Sequence, residues 1–73
     1  MRVQTILQYN CFPGKDCPAV HRADDGRILI QGYMVLEVDK MSSNIKIPSN
    51  EEIVELPMEF FLQILKEIDP SKI

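Results

Sequence analysis

The sequence predicts a small α+β fold, a mostly antiparallel sheet of about four strands with one C-terminal helix packed on one face. Three observations lead to this prediction. Arg27–Val38 alternates its side chains with a period of two, which is typical of a strand. Met58–Ile68 carries apolar residues at helical spacing. Asp24-Asp25-Gly26 has the composition of a tight hairpin turn, which favours antiparallel pairing of the strands on either side.

Length and charge narrow the function classes. Residues 1–73 are interpreted as one small domain, of a size that often needs a metal, a disulfide or a partner chain for stability. The net charge of −3, from eight basic and eleven acidic residues, argues against a nucleic-acid surface and against electrostatic binding to anionic lipid. No apolar run reaches about 18 residues, and the N-terminus does not resemble a signal peptide. We therefore expect a cytoplasmic protein without membrane contact, and reduced cysteines.

The remaining elements follow in chain order. Alternation predicts a first strand, a short second strand and a final strand, while proline fits the first position of the helix and Asp-Pro ends it. The two connecting segments are polar and irregular, and the second has room for one helical turn near Met41. The predicted strands are Val3–Tyr9, Ala19–Ala23, Arg27–Val38 and Glu52–Leu56, and the connecting segments are Asn10–Pro18 and Asp39–Asn50.

Gly32 lies in the middle of the long strand. We favour a bend there, with a hairpin turn at Gln31-Gly32 that would pair Ile30 with Tyr33 as the alternative. If the strand is continuous, one face is core and receives the apolar side of the helix. The core face is predicted to hold Ile28, Ile30, Met34, Leu36 and Val38, and the helix stripe is predicted as Met58, Phe61, Leu65 and Ile68, widened by Leu62 and Ile64 and packed on Ile28, Ile30 and Met34.

The opposite face of the long strand carries Leu29, Tyr33 and Val35. One helix cannot cover both faces of a sheet, and tyrosine is enriched at the centres of interfaces. We predict that these three residues form a protein-binding surface, most simply a homodimer contact. The alternative is that the segment 39–50 folds over this face, with Met41 and Ile45 forming a second small core.

Cys11, Cys17 and His21 are the one cluster of soft metal ligands. Two thiolates and an imidazole could fill three of the four positions of a zinc site, with Asp16 as the fourth. The spacing is looser than in usual zinc sites. A buried cysteine, a loop cysteine and a strand histidine without a shared role are the favoured interpretation, and a disulfide between the cysteines remains open. We predict no structural metal, no cofactor and no enzymatic activity, because no group that would orient a nucleophile can be named.

The hairpin also offers a DNA-binding alternative. Residues 22–30 resemble the looped hairpin of swapped-hairpin transcription factors, in which Gly-Arg-Ile opens a strand. Those domains are dimers that bind DNA with basic residues. Here only Arg22 and Arg27 are basic, beside Asp24 and Asp25, so nucleic-acid binding stays a minor alternative.

A longer resemblance covers residues 17–62. The order CPAVHRADDGRILIQGYMV, an irregular stretch and IPSNEEIVELPMEFF resembles a group of small uncharacterised bacterial proteins, mainly actinobacterial, that are often encoded near helix-turn-helix regulators. The resemblance implies a regulatory setting and no catalytic activity. Our leading hypothesis is a non-enzymatic protein-interaction module, accessory to a transcriptional regulator. The alternatives are a metal-binding or redox protein that uses Cys11, Cys17 and His21, and a DNA-binding dimer.

Overall fold

The structure is a computed structural model that describes residues 1–9 and 17–72. It confirms an α+β fold with a C-terminal helix, but the described strands form two sheets where we predicted one sheet of about four strands. A three-stranded antiparallel sheet has the order β1-β2-β3, and β4 pairs with β5 in a second antiparallel sheet. The elements are β1 (Val3–Gln8), β2 (Ala19–Ala23), β3 (Ile28–Gln31), β4 (Tyr33–Met34), α1 (Glu37–Ser42), β5 (Val54–Glu55), α2 (Met58–Glu67) and a final 3₁₀ turn (Pro70–Lys72).

The hairpin between β2 and β3 is confirmed. The Gly26 amide donates to the Ala23 carbonyl at 3.0 Å, and the Ala23 amide donates to the Arg27 carbonyl at 2.9 Å. Gly26 has a φ of 91°, a left-handed conformation that glycine adopts without steric cost. Asp25 accepts from the Arg27 amide at 3.2 Å and from its guanidinium Nε at 2.8 Å. Asp25 is therefore a turn residue, as predicted.

The chain bends at Gly32, and the hairpin alternative at this position is wrong. Ile30 pairs with Val20 in the first sheet, whereas Tyr33 pairs with Glu55 in the second. A side chain on Gly32 would meet the Glu55 carbonyl oxygen at 2.9 Å. Only glycine lets the two backbones approach this closely, so the end of the first sheet and the start of the second meet here.

The core lies around β2, the central strand of the first sheet. The residues just before β2 and most of β2 are buried, and Phe60 of α2 is 0% exposed. The Phe60 ring packs against the Tyr9 ring with centroids 5.5 Å apart at 58°. This contact joins α2 to the segment that continues β1. The buried residues among those described are Cys17, Pro18, Ala19, Val20, Ala23 and Phe60.

The predicted packing of α2 is wrong. Met58, Phe61 and Leu65 are exposed, as are Ile28, Ile30 and Met34 on the strand face predicted to receive them. Leu36 and Val38 of the same predicted face are exposed too, because the chain has left the strand by this point. The packing prediction for α2 fails because the apolar arc of this helix is wide. Because Phe60 and Ile64 are also apolar, the pattern does not specify which part faces the sheet, and the Tyr9 contact selects Phe60.

Candidate interaction surface

The residues predicted to bind a partner are divided between the two sheets. Leu29 is half-buried on β3 opposite His21, Tyr33 is exposed on β4 opposite Glu55, and Val35 is half-buried after β4. Because the chain bends at Gly32, these three side chains do not share the face of one continuous strand. Their role in binding stays a prediction, and Tyr33 is the most accessible of the three.

The loop that we considered as a cover does not form a second core. Met41 and Ile45 are both exposed. Lys40 instead connects this segment to the residues just before β5. Its Nζ donates to Glu52 Oε1 at 2.7 Å and to Glu37 Oε1 at 3.3 Å. The hydrogen bond from Lys40 lowers the pKa of Glu52, and the same contact raises the pKa of Lys40. The one helical turn expected near Met41 is present as α1.

Four exposed apolar side chains form a stripe along α2. We define the α2 stripe as Met58, Phe61, Leu62 and Leu65, whose exposed fractions range from 47% to 68%. At 3.6 residues per turn, these positions fall within an arc of about 100°. Glu59 and Lys66 lie two turns apart along one border of the arc, so an apolar strip is bounded by one negative and one positive side chain.

Local sequence fixes both ends of α2. Pro57 precedes the helix, and its carbonyl accepts from the Phe60 and Phe61 amides at 3.0 and 3.2 Å. Ile68 is extended, with φ −90° and ψ 119°, directly before Asp69-Pro70. The proline ring disfavours helical backbone at the residue directly before it, here Asp69, so the helix does not continue through this dipeptide. The helix therefore ends at Glu67, one residue before the predicted end at Ile68.

Tyr9 sets the rotation of α2. Its ring packs on Phe60, and its hydroxyl donates to Glu59 Oε2 at 3.1 Å. This hydrogen bond to a carboxylate raises the pKa of Tyr9. Two contacts to adjacent helix residues fix one side of α2 towards the sheet, and the α2 stripe consequently faces solvent.

His21 belongs to a polar ladder across the first sheet. Its Nδ1 lies 3.0 Å from Thr5 Oγ1, and its Nε2 lies 3.0 Å from Gln31 Oε1. An amide oxygen only accepts, so Nε2 carries a hydrogen and the Thr5 hydroxyl donates to Nδ1 in the neutral ring. The assignment follows from the hydrogen-bond network. Both ring nitrogens are engaged, which gives His21 a role in joining three strands.

The metal-site alternative gains no support from this arrangement. Cys17 is buried and disulfide-bonded, so the expectation of a reduced thiol at this position is wrong. That expectation came from the assumed compartment and not from any local feature of the chain. Cys11 and Asp16 lie outside the described residues. Within residues 1–9 and 17–72, no three His, Cys, Asp or Glu side chains are grouped closely enough to hold a metal ion.

The arginines of the DNA-binding alternative are separated in role. Arg27 forms an ion pair with Asp25 at 2.8 Å. Arg22 is exposed and lines an open cleft of about 250 Å³ together with Arg2 and Asp24. Two arginines beside an aspartate make a small basic region. It is much smaller than the extended basic face that nucleic-acid binding normally needs.

The sequence pattern missed the outward orientation of the α2 stripe. A signal was present, since apolar residues cover more than half of the helix circumference, which is more than one contact can bury.

In the part of the chain that the structure describes, no helix has the length and apolarity to cross a membrane. Comparison of the chain with protein-family models, curated proteins and solved structures finds no match.

Proposed function

We propose that this chain is a non-enzymatic protein-interaction module that binds another protein chain through the α2 stripe. The observation that carries the proposal is the exposure of four large apolar side chains on one side of a helix whose other side is fixed by Tyr9 and Phe60. Four such side chains present on the order of 400 Å² of apolar surface, a patch size that is often functional in monomeric proteins.

The balance of buried and exposed residues supports the same proposal. Among the described residues, six are buried, whereas fifteen large apolar side chains are exposed. Burial contributes roughly 25 cal/mol for each Å² of apolar surface removed from water. A partner that covers the α2 stripe would add burial that the isolated chain lacks. Small domains commonly obtain stability in this way.

Two finer parts of the proposal have separate support. An accessory role beside a transcriptional regulator rests on the resemblance of residues 17–62 to the small bacterial proteins alone. A contribution from Leu29, Tyr33 and Val35 rests on the exposure of Tyr33 and on the enrichment of tyrosine at interfaces. Tyr33 is the residue of this set that we expect to contact a partner directly.

Site-specific photo-crosslinking in the native host tests the proposal. A photoreactive phenylalanine analogue replaces Leu62 in one variant and Ser49, an exposed loop residue, in the matched control. We expect irradiation to give a discrete protein adduct from the Leu62 position and none from the Ser49 position. Equal adducts from both positions, or none from Leu62, would contradict an interaction surface on α2. The mass of the adduct identifies the class of partner.

A further inference from the structure

We propose that the partner of the α2 stripe is a second copy of this chain, whose α2 packs antiparallel to the first about a two-fold axis. This inference rests on the proposed interaction function and makes it specific. It is carried by the charges that border the stripe and by the order of the apolar side chains within it.

The border charges distinguish the two possible orientations. Glu59 and Lys66 lie on the same border of the stripe, seven residues and thus two turns apart. A parallel two-fold pair sets this border against the opposite border of the second copy, so Glu59 and Lys66 of the two copies lie on different sides of the contact. An antiparallel two-fold pair keeps like borders together and reverses their direction, so Glu59 of each copy lies beside Lys66 of the other. These residues therefore form two opposite-charge pairs in the antiparallel orientation and no pair in the parallel one.

The apolar side chains fit the same axis. In the antiparallel pair, Met58 of each copy faces Leu65 of the other, and Phe61 faces Leu62 across the centre. The midpoint of the apolar pairing and the midpoint of the Glu59–Lys66 pairing both fall within one residue of Leu62. Charge and shape therefore specify one register, which is the condition for a self-complementary interface.

The resulting interface has the usual arrangement of a protein contact. The four apolar side chains form its centre, and the charged border residues form a polar rim. Stable interfaces bury about 800 Å² on each partner. The stripe supplies roughly half of this as apolar area, and the rim and the neighbouring exposed side chains supply the rest. Glu59 keeps one carboxylate oxygen for Tyr9 and has the other available for Lys66 of the second copy.

Zero-length crosslinking of mixed isotopic chains tests the register without any substitution. Equal amounts of ¹⁵N-labelled and unlabelled chain are mixed, treated with a carbodiimide and digested for mass spectrometry. Within one chain, Lys40 and Glu52 are 2.7 Å apart and give a same-isotope crosslink that controls for reactivity. We expect mixed-isotope crosslinks between Glu59 and Lys66. Recovery of the Lys40–Glu52 product without a mixed-isotope Glu59–Lys66 product overturns the register.

Charge reversal gives an independent readout by sedimentation. We expect Lys66→Glu to weaken self-association roughly tenfold, since it replaces two attractive pairs by two repulsive ones. Adding Glu59→Lys to the same chain should restore the parental affinity. Lys46→Glu, an equal charge change at an exposed loop position, is the matched control and should have little effect. A cooperative melt of each variant shows that the chain is folded.

The outcomes separate this inference from the proposed function. A purified chain that stays monomeric, or a double variant that is not restored relative to Lys66→Glu, overturns pairing between copies. If the Leu62 photo-adduct then has the mass of a different protein, the interaction function stands and only the identity of the partner is wrong. An absent Leu62 adduct removes both.

Discussion

Phe60 and Phe61 are neighbours in the sequence with opposite environments. Phe60 is fully buried against Tyr9, whereas Phe61 is 47% exposed in the α2 stripe. One residue along a helix rotates a side chain by about 100°, which is enough to move it from the core to the surface. The packing of this helix is therefore decided by which aromatic ring meets Tyr9.

Phe60→Ala should be far more destabilising than Phe61→Ala. Removing a buried phenylalanine costs about 3–5 kcal/mol of stability, since it deletes apolar burial and leaves a cavity. The whole free energy of unfolding of a typical domain is only about 5–15 kcal/mol. Phe61→Ala in dilute protein should cost less than about 1 kcal/mol. Urea denaturation of both variants checks this. Equal losses for the two, or a larger loss for Phe61→Ala, would show that the helix is rotated differently.

His21 shows how little its residue type says about its role. The sequence places it near two cysteines, which makes a metal ligand one alternative beside the favoured prediction of a strand histidine without a shared role. In the fold, its two nitrogens join Thr5 on β1 to Gln31 on β3 at 3.0 Å each. These contacts follow from the strand register, which pairs His21 with Thr5 on one side and with Leu29 on the other. No sequence spacing between positions 5, 21 and 31 signals them in advance.

At the scale of elements, Gly32 lies where the two sheets meet and allows their backbones to approach closely. A Cβ there would lie 2.9 Å from the Glu55 carbonyl oxygen and 2.9 Å from Val54 Cγ2. We expect Gly32→Ala to destabilise the chain by about 1–3 kcal/mol, because the backbone of β5 must move to admit the methyl group. Amide hydrogen exchange should show faster exchange in β4 and β5.

Gly26→Ala is the comparison for this prediction. Among the described residues, no atom outside its chain neighbours lies within 4 Å of the Cβ position of Gly26, so we attribute the cost of a side chain there to the φ of 91°. We expect a loss of about 1–2 kcal/mol without a selective effect on β4 and β5 amides. Unchanged protection of β4 and β5 in Gly32→Ala would contradict the close approach at Gly32.

The contact between α1 and the region before β5 should depend on pH. The pKa of Glu52 is lowered by the hydrogen bond from Lys40, so this contribution is present above the ordinary glutamate pKa and is lost as the pH falls through the lowered value. The pKa of Lys40 is raised, so on the alkaline side the contact persists beyond the ordinary lysine range.

An NMR titration of the Ile53 amide measures this contact, since that N–H donates to Glu52 Oε1 at 3.2 Å. We expect its shift to change in acid with a midpoint below the ordinary glutamate value. The same amide in Glu52→Gln should show no such step. A midpoint at or above the ordinary value would mean that Lys40 and Glu52 are apart in solution.

Elements that depend on local residues were predictable from the sequence. The hairpin at Asp24-Asp25-Gly26, the bounds of β2 and the helix that follows Pro57 each have a short-range cause, and each is confirmed. The division into two sheets was not, because it depends on the approach of Val54–Glu55 to Gly32 across more than twenty residues. The face of α2 that is buried also depends on a distant residue, Tyr9.

At the scale of the whole molecule, apolar residues exceed what the described fold buries. The buried residues among those described are Phe60 and small residues in and just before β2, while the α2 stripe, Tyr33 and Met34 face solvent. The sequence signals a well-formed helix with a wide apolar arc, but not what covers the remainder of that arc. The candidate site was therefore only partly predictable. Tyr33 is exposed and its role in binding stays a prediction, whereas the α2 stripe was wrongly assigned to the core.

The most direct test is sedimentation equilibrium of the purified parent chain beside Leu65→Glu in one buffer. Leu65 is 66% exposed, so glutamate is tolerated by the isolated fold but not by an apolar contact. We expect the parent to approach twice the mass of one chain with rising concentration, and Leu65→Glu to remain a folded monomer. The same mass for both chains at every concentration would contradict self-association through the α2 stripe.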